Sequence, residues 1–128
     1  MSVRFARLML ASAHTIRING AGVPSVVGSY AQRKPDMIPE GFALVCRNMR
    51  WDVKKTWHTL SDQRRPWFEA ENGAYMYWNT NDRQWWIDEP DGGGVYVAKG
   101  DSELPPAKGW KALPNGRAPL PTVSVERE

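Results

Sequence analysis

Two aromatic-rich runs, Ala74-Tyr75-Met76-Tyr77-Trp78 and Gln84-Trp85-Trp86-Ile87-Asp88, lie on either side of Asn81-Asp82. Aromatic and β-branched residues favour the pleated, half-buried surface of a strand. Asn and Asp tolerate the left-handed backbone that a tight hairpin turn needs. With Asn81-Asp82 as the turn, Thr80 faces Arg83, Asn79 faces Gln84, Trp78 faces Trp85, Tyr77 faces Trp86 and Met76 faces Ile87. Side chains alternate along a strand, so Met76, Trp78, Trp85 and Ile87 share one face, the expected core face. Tyr75, Tyr77, Asn79, Gln84, Trp86 and Asp88 share the other, a mixed aromatic and polar surface. A slip of one residue would exchange the two faces, so the assignment depends on register.

The flanking sequence extends this hairpin into a mainly β chain. His14 to Asn19 alternates Thr15, Arg17 and Asn19 against Ile16 and Ile18, a half-buried strand. Gly20-Ala21-Gly22-Val23-Pro24 turns the chain, and Ser25 to Ala31 reads as a second strand, where Gly28 suggests a bulge or a close approach. Glu89 to Gly94 is a turn, Val95 to Ala98 a strand, and Trp110 with Lys111, Ala112 and Leu113 a short closing strand. Pro114-Asn115-Gly116 turns again, and Thr122 to Val125 is expected at an edge because prolines precede it. Residues 35–65 admit two readings. Ile38, Phe42, Val45, Met49, Val53, Trp57 and Leu60 recur at helical spacing, with Pro39 suited to a first helical position. The preferred alternative is a buried strand at Phe42–Cys46 followed by a helix at Val53–Leu60, capped by Asp52. The expected architecture is thus mainly β: one open, twisted antiparallel sheet of about five to seven strands, with a short helix in the insert at 35–65 packed on one face.

At 128 residues the chain is long enough for one domain. A single Cys excludes an intrachain disulfide, and no apolar run is long enough for a spanning helix. Residues 1–65 hold 11 basic and 4 acidic side chains, whereas residues 66–128 hold 6 and 10. The basic excess is sharpest in residues 1–13, where Arg4 and Arg7 stand without any acid. This segment reads as an organelle-targeting presequence, for a mitochondrion or plastid, or as a retained arm that docks on a partner or a membrane surface. A cytoplasmic location is the alternative. The longest basic runs are pairs such as Arg33-Lys34 and Arg64-Arg65, too short to suggest nucleic-acid binding.

Gly20-Ala21-Gly22-Val23-Pro24, Gly28-Ser29-Tyr30, Tyr77-Trp78, Trp85-Trp86-Ile87, Gly94-Val95-Tyr96, Pro105-Pro106 and Gly109-Trp110 follow one another in an order that resembles a small Trp-rich β module. Such modules recur in algal and protist proteins, alone, repeated or fused to other domains. The resemblance spans about residues 15–125, with the insert at 35–65 as a departure. It implies an open antiparallel sheet with a binding or assembly role, and it carries no catalytic residues.

The sequence carries little that resembles catalytic or metal-binding chemistry. His14, His58 and Cys46 lack metal-ligand spacing, so neither a metal nor a cofactor is expected. Cys46 in Leu-Val-Cys reads as a small buried hydrophobe. Glu69 with Glu71, and Asp88 with Glu89 and Asp91, are carboxylate pairs of the kind glycosidases use, but strand ends and turns are ordinary places for solvated acids. Gly92-Gly93-Gly94 precedes a strand rather than a helix and is a turn, not a phosphate loop. The seven Trp therefore dominate the functional expectation. Trp78, Trp85, Trp110, Trp51 and Trp57 are expected to fill the sheet–helix core. Tyr75, Tyr77 and Trp86 are expected as an exposed platform for another protein subunit. The resulting expectation is a non-enzymatic accessory subunit of a larger organellar, membrane-associated complex, with a carbohydrate-binding module as the alternative.

Overall fold

The structure is a computed structural model and describes residues 14–127. Arg4 and Arg7, with the rest of the basic arm, lie outside the described residues. Eight strands form one curled, open antiparallel sheet: β1 (His14–Asn19), β2 (Gly28–Arg33), β3 (Trp67–Ala70), β4 (Tyr75–Asn79), β5 (Gln84–Asp88), β6 (Gly94–Lys99), β7 (Lys111–Ala112) and β8 (Thr122–Arg127). Their order is β7-β6-β5-β4-β3-β2-β1-β8, a meander with the C-terminal strand added beside the first. The β8 edge meets the β6–β7 connection where the Val123 N–H donates to the Ala107 carbonyl, 3.0 Å away. Helices α1 (Glu40–Met49) and α2 (Val53–Leu60) lie between β2 and β3 in sequence.

The hairpin has the register read from the sequence: Met76 opposite Ile87, Tyr77 opposite Trp86, Trp78 opposite Trp85 and Asn79 opposite Gln84. Its loop is longer than the two residues expected. The Arg83 N–H closes it on the Asn79 carbonyl, with Arg83 itself left-handed at φ 57°. Met76, Trp78, Trp85 and Ile87 point to the inside of the curl, where they join Ile16, Ile18, Tyr30, Phe68 and Tyr96 in one apolar core. Curling permits this, because a sheet bent on itself can pack its own inner face against that of distant strands.

Three local expectations change. The segment expected as a strand at Phe42–Cys46 is helical, in agreement with the 3.6-residue spacing that the same segment also carries. Phe42, Ala43 and Cys46 are buried and Leu44 and Arg47 exposed, a pattern that a strand would not produce. Pro39 precedes the first helical residue rather than being it, and its carbonyl accepts the Ala43 N–H. Second, Pro24–Val26 is a 3-10 turn, so the strand expected from Ser25 begins at Gly28, whose φ of 138° re-aims the chain. Third, β3 was absent from the sequence expectation; it raises the count to eight and puts Trp67 on the outer face. α2 begins where expected, with the Asp52 carboxylate accepting the Lys55 N–H at 2.8 Å.

α1 ends in a left-handed residue. The Arg50 N–H bonds back to the Arg47 carbonyl and the Trp51 N–H to the Cys46 carbonyl, with Arg50 at φ 61°. This double closure usually uses glycine, because a Cβ is strained there. Arg50→Gly is expected to raise stability by about 0.5–1 kcal/mol, read as a higher urea midpoint with an unchanged slope.

Candidate functional site

The outer face of β3, β4 and β5 carries Trp67, Tyr75, Tyr77 and Trp86, and α1 and α2 lie over it. Phe42 and Cys46 from α1 and Trp57 from α2 close on these rings, forming a second apolar core. Phe42 meets Trp57 edge-on at 4.9 Å between centroids, Trp57 meets Trp67 at 5.8 Å, and Trp67 meets Tyr75 at 6.2 Å. Edge-to-face pairs of this kind add to the gain from burial. The expected aromatic platform is therefore not a surface. Tyr75 is 0% and Tyr77 4% exposed. Both alternate as the register requires, but a helical layer replaces solvent on their side of the sheet. Trp86 is half-buried at the margin of this layer, and its indole N–H is held by the Asp82 carboxylate at 2.9 Å.

The indoles serve a second purpose. Trp57 donates to the Pro35 carbonyl and Trp67 to the Met37 carbonyl, each at 2.8 Å, so two rings of the outer core hold the connection between β2 and α1. Trp78 donates to Gly100, Trp85 to Ser102 and Trp110 to Pro106. The first two bonds tie the long β6–β7 connection to the sheet, and the third lies within that connection. A buried indole requires an acceptor, and loop carbonyls require donors, so each bond satisfies two groups. The abundance of Trp is largely accounted for by packing and by these tethers.

One carboxyl stands out within the outer core. Asp88 follows the aromatic run on β5, pairs with Tyr75 across the ladder, and is only 4% exposed. Its Oδ1 and the Tyr75 hydroxyl are both sealed from solvent, and among the described residues neither has a hydrogen-bond partner. Burial pushes the Asp88 carboxyl up to about 7; the nearby Tyr75 hydroxyl pulls it down and the Asp91 charge pushes it further up. Burial also raises the hydroxyls of Tyr75 and Tyr77, with the Asp88 charge adding to both. The sequence reading placed Asp88 with the solvated acids, and the covering helices overturn that. α1 sits so tightly over this turn that a Cβ on Gly41 would collide with the Pro90 carbonyl. Cys46 is buried in the same layer, as expected, and burial raises its thiol.

No family model, curated protein or solved structure matches the chain. Among the described residues, three surface features bear on function. At one end of the curl a cleft of ≈ 640 Å³ is lined by His14, Gln32, Asp62, Arg65, Pro66 and Leu104, among others. Arg65 is already committed there: it stacks 4.0 Å over the Trp78 ring, pairs with Asp62 and donates to the Asp101 and Ser102 carbonyls. At the corner between the helices, Trp51 is 49% exposed, although the sequence reading assigned it to the core. Along β8, Val125 is 43% exposed at an open edge. Among the described residues no three His, Cys, Asp or Glu side chains converge as a metal site, and no helix is long and apolar enough to cross a membrane.

Proposed function

We propose that the chain is a non-enzymatic interaction module, an accessory subunit of a larger assembly in a mitochondrion or plastid, joined to a neighbouring subunit through the edge of β8. The observation that carries this reading is the backbone of that edge. The Val123 N–H points away from β1, to Ala107. Backbone direction repeats every second residue, so the N–H and C=O of Val125 also point outward. Among the described residues no backbone group accepts that N–H. An open edge with an exposed Val is suited to strand addition by another chain, which would satisfy these groups. Sugar stacking on Tyr77 and Trp86 has less support, because Tyr77 offers no ring face to a ligand.

Val125→Pro tests the proposal without attacking the ladder, because it deletes an N–H that β1 does not use. Size-exclusion of native extract is expected to show the unmodified chain in a large complex and Val125→Pro as free monomer, with a melting temperature within a few degrees of the parent. Val125→Ala, which keeps the N–H, is expected to remain in the complex. Comigration of Val125→Pro with the complex refutes strand addition. A monomeric native protein with saturable quenching by a glycan favours the carbohydrate reading instead.

A further inference from the structure

We infer that the corner between α1 and α2 is a docking site for an anionic lipid bilayer surface. Residues 47–52 are exposed without interruption, so this corner protrudes. Its tip is apolar: Met49 is 54% exposed and Trp51 49%. The left-handed Arg50 places these two on either side of the turn and holds the Trp51 backbone by its bond to Cys46. Trp51 is thus presented on a fixed backbone rather than on a loose loop.

Around this tip lie Arg50, Lys54 and Lys55. Among the described residues none of the three has a carboxylate within ion-pair distance. Arg47 is occupied by Glu40 at 3.2 Å, and the nearest acid in sequence, Asp52, caps α2. Three exposed cations without an ion-pair partner among the described residues, around an exposed indole and a thioether, match the chemistry of an anionic bilayer. The ring and the Met side chain enter the interface while Lys and Arg stems reach the phosphates. A peptide would call for a groove, and this corner projects. A single-stranded nucleic acid would call for successive stacking rings, and the corner has one. The inference does not depend on the β8 edge.

The test is cosedimentation of the full chain with phosphatidylcholine vesicles, with and without phosphatidylserine. Binding is expected only to the anionic vesicles, with a loss at high salt. Each cation near an anionic surface strengthens partitioning roughly fivefold, so Lys54→Ala with Lys55→Ala is expected to weaken binding roughly 25-fold. Trp51→Ala is expected to weaken it roughly tenfold, about 1.4 kcal/mol, while the thermal melt stays nearly unchanged, because the ring is half exposed and belongs to neither apolar core. Equal binding to neutral vesicles, absence of binding, or variants that bind like the parent would overturn the site. So would Trp51-dependent capture of an acidic peptide or an RNA oligonucleotide by a chain that ignores vesicles.

Discussion

Asp88→Asn is expected to stabilise the protein at pH 8 by about 2–4 kcal/mol and to leave it unaffected or weaker near pH 4. The folded-state carboxyl titrates at about 7, against an ordinary value of 3.8. Below 3.8 both folded and unfolded chains hold the proton, and the side chain imposes no charge penalty. As pH rises from about 4 to 7, the unfolded chain releases its proton while the folded chain retains it, so stability falls through this window. Above about 7 the folded carboxyl ionises as well, and the loss levels off. Asn carries no titrating charge, so the variant should lack this component of the slope. Urea midpoints of parent and variant across pH 4–8 check it. Curves that stay parallel would mean that the carboxyl is solvated, contrary to its place under α1.

The energetic reason lies in the company Asp88 keeps. A carboxylate buried without a full set of donors costs several kcal/mol, which protonation relieves. The Tyr75 hydroxyl lowers the carboxyl only in part, and among the described residues Oδ1 has no hydrogen-bond partner. The outer core is therefore the weaker of the two layers above pH 7, and amides of α1 and α2 are the ones whose exchange should quicken there.

Trp57→Ala is expected to cost about 3–5 kcal/mol, a large share of a domain's stability. Trp57 is fully buried, touches Phe42, Trp67 and Tyr77, and tethers Pro35. Its removal leaves a cavity at the centre of the helix–sheet interface. Trp57→Phe keeps much of the ring contact and loses the Pro35 bond, so a loss of about 1–2 kcal/mol is expected. Chemical denaturation of the two variants beside Trp51→Ala separates the cases. The half-exposed Trp51 should change stability by under about 0.5 kcal/mol. If Trp57→Ala were as mild as Trp51→Ala, the helical layer would not be packed as described.

The inner core was legible because Met76, Trp78, Trp85 and Ile87 sit two apart on strands whose turn residues set the pairing. The Asp52 cap was legible for the same reason, a local hydrogen bond between residues three apart. The Phe42–Cys46 segment was ambiguous, since a short apolar run satisfies a strand and a helix alike. β3 was missed because Trp67-Phe68-Glu69-Ala70 is only four residues and shows little alternation of polarity. Tyr75, Tyr77 and Asp88 were assigned to the right side of the sheet but the wrong environment, and Trp51 was assigned to a core that it leaves.

Sequence by itself determined which residues alternate, where the chain turns, and which hairpin partners meet, because these follow from backbone stereochemistry and neighbours a few positions apart. Only the tertiary structure decided what lies against each face. Alternation divides a strand into two sides but does not say whether water or a helix covers the second. Rings with a polar tip, such as those of Tyr75 and Tyr77, are compatible with either. The packing of residues 40–60 across the sheet makes that choice, and with it moves the outward-facing chemistry from the hairpin to the helix corner and the β8 edge.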